Sequence, residues 1–503
     1  MRRLLGDRGP FGRSLAAIVL VAAWVATWRP QVDPDAWWHL AYGDAMATTG
    51  SIPTTETFSW LTAGDRIVLH SWLWELLLAG AFRVAGATGT SLLILPVTAA
   101  IVALSWGLLR TVAPGTPPSA RALAVLVAAV AALPAWAPRA QTLDVAFVLA
   151  TVLVLARYVQ DGERRPLLAL PVIGLLWANL HGSAIVALPA TGVLALLALP
   201  IDARLGDRPL RSPLPMLGAL AAALVAASIN PYGPRLLMYP VDRTVASAFI
   251  PEIVEWRPPD LTAPGLLPFA ALLAVAIAVS ITRRGRPDTF ILITAGTWTL
   301  AALWSVRFLA IAACLLAVAV AATVRAGRET AAGGGGSPSG QELARSERRP
   351  LWAITAIGAG AILAAGWLLI SPSAQDAAIR HRLPVAAVAA LDASGCPGRL
   401  LVDYGWGGYV IWTAHRPVGA YGNSAEGAVR DQSAVELAAT DPTGWLQAHD
   451  VEIVLVPRDG PLSRWLDGAP GWQRRYEDEQ ATIHVRQGVE DCALGGQAVA
   501  SVR

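Results

Sequence analysis

The sequence contains no lysine, only three cysteines and few charged residues. All 39 basic residues are arginines, and charged residues make up 15% of the 503 positions. The chain also lacks C-x-x-C, H-E-x-x-H and P-loop motifs and any internal repeat of fixed period. These absences exclude familiar signatures of zinc sites, metalloproteases and nucleotide binding. A net charge of +3 is too small to indicate a nucleic-acid partner.

Long apolar segments dominate what is present. Hydrophobic residues make up 54% of the chain, and a membrane span needs about 20 mostly apolar residues. We therefore expect a mainly α, polytopic membrane bundle with eleven spans, at residues 14–30, 90–109, 121–137, 141–157, 165–181, 183–201, 213–230, 264–282, 288–304, 306–324 and 351–370. The first segment lacks a small-residue cleavage site, so we expect a retained span and not a signal peptide.

The distribution of arginine predicts the orientation in the membrane. Cytoplasmic loops collect basic residues, and the arginine-rich loops agree on one side only if Ser71–Gly86 does not cross. This segment is short and carries Glu75 and Arg83. We expect an interfacial or re-entrant helix there, with a cytoplasmic N-terminus and an extracytoplasmic C-terminus in the plasma (inner) membrane. The alternative is a twelve-span arrangement in which this segment crosses.

Composition also predicts the domain organisation. Residues 1–324 form the transmembrane module, with an outer loop at 31–90; residues 325–350 are rich in Gly, Ser and charge and read as a flexible cytoplasmic linker. A last span at 351–370 leads to a small α/β domain at 371–503. Its strand-like runs are RLLVDYG, GYVIWT, VEIVLVP and ATIHVR. Cys396 and Cys492 lie in this domain, and their separation in sequence does not decide whether they pair.

The most unusual polar stretch follows the first span. Asp33 and Asp35 flank Pro34, and Trp37, Trp38 and His39 follow. A D-x-D segment can hold a divalent cation such as Mg²⁺ or Mn²⁺, or one carboxylate can act as a base. The alternative is a turn in which the Asp side chains cap backbone amides.

Other polar residues fall on the same predicted outer face. Arginines can pair with phosphate oxygens in a fork geometry and stabilise leaving-group charge, although an arginine at a span end also snorkels to the interface. The candidates for substrate binding on this face are Trp37, Trp38, His70, Glu75, Arg139, Gln141, Asn179, His181, Glu255, Arg257 and Arg307.

An ordered series of motifs resembles one group of proteins. The series runs from DPDAWWHLAYGDAMATTGSIPTTETFSW through HSWLWELLLAG, RAQT, WANLHGS, NPYG and IVEWRPPD to DYGWGGYVIW. It resembles bacterial polytopic membrane proteins with a GT-C glycosyltransferase-like fold, which are remotely similar to oligosaccharyltransferase catalytic subunits and protein O-mannosyltransferases. Those enzymes use polyprenyl-phosphate-linked sugar donors.

The resemblance implies roles for particular residues. The resemblance makes Asp33 or Asp35 the catalytic acidic position and Ser71–Gly86 the juxtamembrane helix of the first outer loop. His39 is a further catalytic candidate, because the sequence itself places its imidazole next to these carboxylates. Asp403 and Tyr404 correspond to an acceptor-side D-Y-G motif, although LLV stands where that motif has tryptophans and AYGNSAEGA (420–428) lacks the Asp and Arg of the bacterial group. Glycines 405, 407 and 408 also suit a bulge or a close packing contact.

The expected function is therefore transfer of a sugar from a polyprenyl-phosphate lipid to an extracytoplasmic glycan, lipid or protein acceptor. The alternative is a non-enzymatic transporter or envelope-assembly protein. Against a transporter, the sequence shows no paired halves with matched broken helices, and charges near the middle of spans are scarce.

Overall fold

The computed structural model describes residues 9–205, 208–239, 254–282, 288–331, 345–420 and 426–489, together with 492 and 494. Most of these residues are helical. The α-helices are Pro10–Val25, Asp35–Thr49, Trp72–Val112, Pro118–Ala131, Gln141–Asp161, Ala169–Leu180, Ala184–Arg204, Leu214–Ala227, Leu267–Thr282, Thr289–Trp304, Leu309–Ala331, Arg345–Ile370, Pro372–Arg382, Val385–Ser394, Gly407–Ala414, Glu426–Glu436, Thr443–Ala448 and Pro461–Gly468.

Each of the eleven predicted spans coincides with a helix. Within the described residues, six helices are long and apolar enough to cross a membrane: Trp72–Val112, Gln141–Asp161, Ala184–Arg204, Pro264–Thr282, Val306–Gly327 and Leu351–Ile370. The other five predicted spans fall on shorter apolar helices. The chain is a polytopic membrane protein, and the number eleven stays a prediction.

The helices divide between two compact units. One contains the described residues of 1–30, 91–246 and 254–371, and the other those of 31–90 and 372–503. In the first unit, the helix Leu309–Ala331 packs against Pro118–Ala131, Leu267–Thr282 and Thr289–Trp304. It is mostly buried, so its apolar side chains contribute much of this unit's core. The helix also continues into the predicted linker, of which residues 332–344 lie outside the described part.

The second unit contains a four-stranded sheet with the strand order β1-β2-β4-β3. The strands are β1 (Arg399–Val402), β2 (Val451–Pro457), β3 (Trp472–Glu477) and β4 (Ala481–Arg486). β1 and β2 are parallel, whereas β4 is antiparallel to both β2 and β3. The central strands β2 and β4 are almost fully buried, which explains their apolar sequences.

The first outer loop belongs to this second unit. The Trp60 backbone amide donates to the Val418 carbonyl at 3.1 Å, and the Val418 amide donates to the Phe58 carbonyl at 3.0 Å. The Trp60 indole also donates to the Leu400 carbonyl at 3.1 Å. Residues of the loop therefore extend the backbone pairing next to β1.

The helix Trp72–Val112 is broken about one third of the way along its length. Ala85 and Gly86 have non-helical backbone angles, and Gly86 has a φ of 57°, which glycine adopts without strain. The predicted Ser71–Gly86 helix thus ends at this break, and the predicted span at 90–109 follows it.

One predicted strand of the C-terminal domain is wrong, and one observed strand was not predicted. GYVIWT is not a strand but the helix Gly407–Ala414, because packing against the helix Asp35–Thr49 overrides its β-branched composition. The strand β3 has no predicted counterpart, since its polar sequence WQRRYE is mostly exposed at the sheet edge.

The open question of the cysteines is answered, because Cys396 and Cys492 form a disulfide bond with a Cα–Cα distance of 4.3 Å.

Candidate active site

The acidic stretch after the first helix starts the helix Asp35–Thr49. Asp33 Oδ1 accepts a hydrogen bond from the Asp35 backbone amide at 3.1 Å, as in an Asx turn. Asp33 is 7% exposed, while Asp35 is partly exposed in the first helical turn. Both carboxylates suit the positive end of the helix dipole. Asp33 therefore has a structural contact, and Asp35 is the more accessible acid.

His39 lies one helical turn after Asp35 and pairs with a buried acid. His39 Nδ1 is 2.9 Å from Glu75 Oε1, and the Glu75 side chain is 1% exposed. Burial alone would lower the pKa of His39, but the hydrogen bond and negative charge of Glu75, helped by Asp35 and Asp33, raise it above its ordinary value. This arrangement favours a protonated imidazole beside the acidic stretch.

The two tryptophans of this stretch pack against the D-Y-G-W-G-G-Y segment, residues 403–409. The Trp37 ring is 3% exposed and lies 5.1 Å from the Tyr409 ring, edge to face. A Cβ atom on Gly408 would come within 2.6 Å of Trp38 Cδ1 and 2.9 Å of the Trp38 backbone nitrogen. Glycine at 408 thus permits a close approach of two helices.

Asp403 and Tyr404 adjoin a second acid that the sequence did not single out. Asp403 Oδ1 accepts from the Gly405 amide at 3.0 Å, and Glu436 Oε1 accepts from the Tyr404 amide at 2.8 Å. Burial raises the pKa of Asp403. Burial, with the nearby charge of Asp403, raises the pKa of Glu436 to about 8. The pair can therefore hold a proton at neutral pH.

The first unit contains a cluster of two arginines and one glutamate. Arg139 Nη1 donates to Glu255 Oε1, and Arg307 Nη1 donates to Glu255 Oε2 at 3.3 Å. The Arg307 guanidinium lies 5.1 Å from the centre of the Trp256 ring, a cation–π contact. Burial would raise the pKa of Glu255, but the charges of Arg139 and Arg307 hold it below its ordinary value. Glu255 is therefore ionised.

A polar network surrounds His181 in the same unit. Asp144 Oδ1 lies 2.8 Å from His181 Nδ1, accepts from Ser183 Oγ at 2.5 Å and accepts from the Trp177 indole at 2.9 Å. His181 is 3% exposed, and it is close enough to act electrostatically on Glu255. The sequence did not predict Asp144, Trp177 and Ser183 as site residues, although a carboxylate within an apolar segment is a usable signal.

The remaining candidates have more local surroundings. Asn179 donates to the Leu175 and Ile229 carbonyls at 2.8 and 2.9 Å. It therefore connects the end of the helix Ala169–Leu180 to the residues that follow the helix Leu214–Ala227. His70 Nδ1 lies 2.9 Å from Ser71 Oγ. Arg257 is exposed, and its carbonyl accepts from the Val306 amide at 3.0 Å. Gln141 begins the helix that carries Asp144.

The structure thus brings the predicted residues together within each unit. Asp33, Asp35, His39 and Glu75 share one region of the second unit, and Arg139, His181, Glu255 and Arg307 share one region of the first. Among the described residues, no group of three His, Cys, Asp or Glu side chains is arranged to hold a metal ion. Two carboxylates fit only a cation such as Mg²⁺ that takes its other ligands from water or a substrate phosphate.

The comparisons with known proteins concern the fold. No protein-family model matches the chain, and no curated protein matches its sequence. The apo structure of ArnT from Cupriavidus metallidurans is similar to it with a TM-score of 0.52 and 14% identity, over 93% of this chain and 96% of ArnT. The oligosaccharyltransferase of Archaeoglobus fulgidus, tethered to an acceptor peptide with the NVT sequon, gives a TM-score of 0.50 and 13% identity, over 88% of this chain and 69% of that one.

The chain has a GT-C-like fold. This confirms the predicted fold class, a helical membrane bundle with a small C-terminal α/β domain. At these identities the likeness covers the fold, and the chemistry has to be argued from the residues of this chain.

Proposed function

We propose that this protein is a membrane glycosyltransferase that moves a sugar from a polyprenyl-phosphate-linked donor to an extracytoplasmic acceptor. The observation that carries the proposal is the acidic pair Asp33 and Asp35, directly after the first helix of a chain with a GT-C-like fold. The glycosyltransferase-like fold alone would leave the reaction open. The accessible carboxylate of Asp35 adds a group able to do the chemistry.

We assign the base to Asp35. Its carboxylate takes the proton of an acceptor hydroxyl or amide, and the acceptor atom forms a bond to the anomeric carbon of the sugar. The bond between that carbon and the phosphate oxygen breaks, and its electron pair stays on the phosphate. The proton on Asp35 then returns to water, which regenerates the base.

We assign the phosphate to the arginine pair. Arg139 and Arg307 each direct one guanidinium nitrogen to a separate oxygen of the same carboxylate, and guanidinium groups also pair with phosphate oxygens. The positive charge of the two guanidinium groups, placed beside the leaving oxygen, stabilises the transition state more than the ground state, because negative charge develops on that oxygen as the bond breaks. The lipid phosphate of the donor is the anion that such a pair would bind.

The pairing within the second unit supports an outward-facing reaction. The hydrogen bonds between residues 58–60 and residues 400–420 favour a topology in which both segments lie on one side of the membrane, and the chain between residues 60 and 400, which includes Ser71–Gly86, then crosses an even number of times. This parity favours eleven spans over twelve. The arginine distribution then predicts that this side is extracytoplasmic, and the Cys396–Cys492 disulfide suits an oxidising compartment.

The donor lipid and the cation belong to the same proposal. ArnT has been solved bound to undecaprenyl phosphate, in a structure with a TM-score of 0.48 to this chain, and we propose a polyprenyl phosphate as the lipid here. Asp33 and Asp35 are the residues that would hold Mg²⁺ or Mn²⁺. The proton transfer and the phosphate contacts described above do not depend on that ion.

Complementation tests the proposal. In cells lacking the chain, we expect a polyprenyl-phosphate sugar to accumulate and one surface glycan, lipid or glycoprotein to lose a sugar. The wild type restores the profile, Asp35→Asn does not, and Arg139→Gln combined with Arg307→Gln does not. The exposed Asp65 in the same loop is the matched control, and Asp65→Asn should behave as wild type.

The result that rejects catalysis is equally specific. If Asp33→Asn and Asp35→Asn both restore the glycan profile at normal expression, the chain acts as a transporter or assembly protein and not as a transferase.

A further inference from the structure

Glu255 is held in position independently of its arginine partners. Its backbone carbonyl accepts a hydrogen bond from Ser305 Oγ at 2.9 Å, and the Val306 amide donates to the Arg257 carbonyl at 3.0 Å. The short helix Val254–Trp256 is thus fixed to the turn that carries Arg307. The carboxylate would stay near this turn if an arginine moved away.

Arg307 is also held by a second contact. Its guanidinium lies over the Trp256 ring, and that ring contacts Trp304 and Phe308 edge to face at 5.9 and 6.2 Å. A cation–π contact of this kind leaves the outward guanidinium nitrogens available. Arg307 can therefore exchange Glu255 for another anion and keep its position.

The charge of the cluster limits which anions it favours. Two arginines and one ionised glutamate carry a net charge of +1, and their side chains are only partly exposed, at 18%, 21% and 24%. In such a setting charge interactions are stronger than in bulk water. A singly charged phosphodiester matches this net charge, whereas a diphosphate brings surplus negative charge close to Glu255.

We propose that Glu255 is a built-in competitor for the lipid phosphate, which tunes the Arg139–Arg307 pair towards monophosphate-linked lipids and promotes release of the lipid phosphate after transfer. This inference rests on the proposed function, because it assigns the phosphate to the same arginines. Glu255 is then a specificity-determining residue that acts by repulsion, and not a ligand of the substrate.

The negative charge of Glu255 opposes phosphate binding. When the phosphate enters, Glu255 must give up one or both arginines, and this competition weakens binding of every anion. Binding of a diphosphate is weakened more, because its additional negative charge lies close to the carboxylate. Removing the charge of Glu255 should therefore tighten binding of both lipids and favour the diphosphate most.

Direct binding measurements test the inference. Purified full-length protein in detergent is titrated with a polyprenyl-phosphate sugar, which is a singly charged phosphodiester, and with the corresponding polyprenyl diphosphate at two salt concentrations. We expect Glu255→Gln to bind the monophosphate about tenfold more tightly than the wild type does, and to gain still more for the diphosphate. Turnover by this variant should show stronger inhibition by added polyprenyl phosphate.

Matched variants separate charge from folding. Glu163→Gln removes an exposed carboxylate elsewhere in the same unit and should bind both lipids as the wild type does. Glu255→Asp retains the charge and should retain the preference for the monophosphate, which tests the idea even if Glu255→Gln folds poorly. Arg139→Gln should weaken binding of both lipids.

The outcomes distinguish the two proposals. Wild-type binding with no gain in Glu255→Gln, or weaker binding by that variant, overturns the competitor role and leaves the arginine site in place. Absence of binding by the wild type and by Glu255→Gln overturns the phosphate site itself and with it the competitor role.

Discussion

The Asp33 carboxylate accepts a hydrogen bond from the backbone amide of Asp35 at 3.1 Å. The two acids therefore differ, although they are two residues apart and equally acidic in sequence. Asp33 is mostly buried and contacts the start of a helix, whereas Asp35 is partly exposed in the first helical turn.

This difference predicts separate effects of substitution. Asp35→Asn should abolish transfer with a nearly unchanged melting temperature, because the base is lost and the turn is kept. Asp33→Ala should lower the stability by about 1 kcal/mol, as loss of a capping contact does. Thermal unfolding and transfer assays on both variants check this, and equal activity loss with equal stability would contradict the assignment.

Gly408 should tolerate no larger residue. Gly408→Ala forces a Cβ atom against the backbone and ring of Trp38, so we expect a loss of about 1–3 kcal/mol, as in other overpacked sites. Gly444→Ala is the control, because nothing lies within 4 Å of a Cβ at that position. Thermal melts of the two full-length variants should differ clearly, and matching melts would show that the helices can separate at no cost.

The acid pair at Asp403 and Glu436 predicts a pH dependence of stability. Since the pKa of Glu436 in the folded state is raised to about 8, its protonated form stabilises the fold at low pH. That contribution declines as the pH rises from about 4.5 to about 8. Glu436→Gln should flatten the slope and stabilise the protein at pH 8, as measured by tryptophan fluorescence during unfolding. An unchanged slope would show that another group titrates.

The disulfide predicts the number of reactive thiols. Cys396 and Cys492 are paired and Cys314 is a buried thiol, so alkylation of the unfolded protein should modify one cysteine before reduction and three after it. Cys492→Ser should destabilise the C-terminal domain by about 2–4 kcal/mol, while Cys314→Ala should leave that domain unchanged. Mass spectrometry of alkylated protein and melts of both variants check these expectations.

The sequence predicted the helices better than the contacts. Apolar runs of membrane-spanning length have few folded states other than a helix, and every predicted span coincides with one. GYVIWT could not be read correctly, because its helix depends on packing against a segment about 370 residues away.

The sequence predicted the residues of the site better than the contacts between them. The distribution of arginine predicted that Arg139, Glu255 and Arg307 lie on one face of the membrane. That both arginines contact the Glu255 carboxylate follows only from the fold. Asp144 offered a signal as a charge in an apolar helix. Glu436 offered none, since an acid in a short polar helix usually faces water.

The disulfide also sets an order of events during synthesis. Cys492 follows Cys396 by 96 residues, which a ribosome translates in about 5–20 s at ~5–20 residues per second. During that interval Cys396 has only Cys314 as a possible partner in its own chain, and Cys314 belongs to a helix that can cross the membrane. The membrane thus shields the one cysteine with which Cys396 could mispair while the correct partner is still being made.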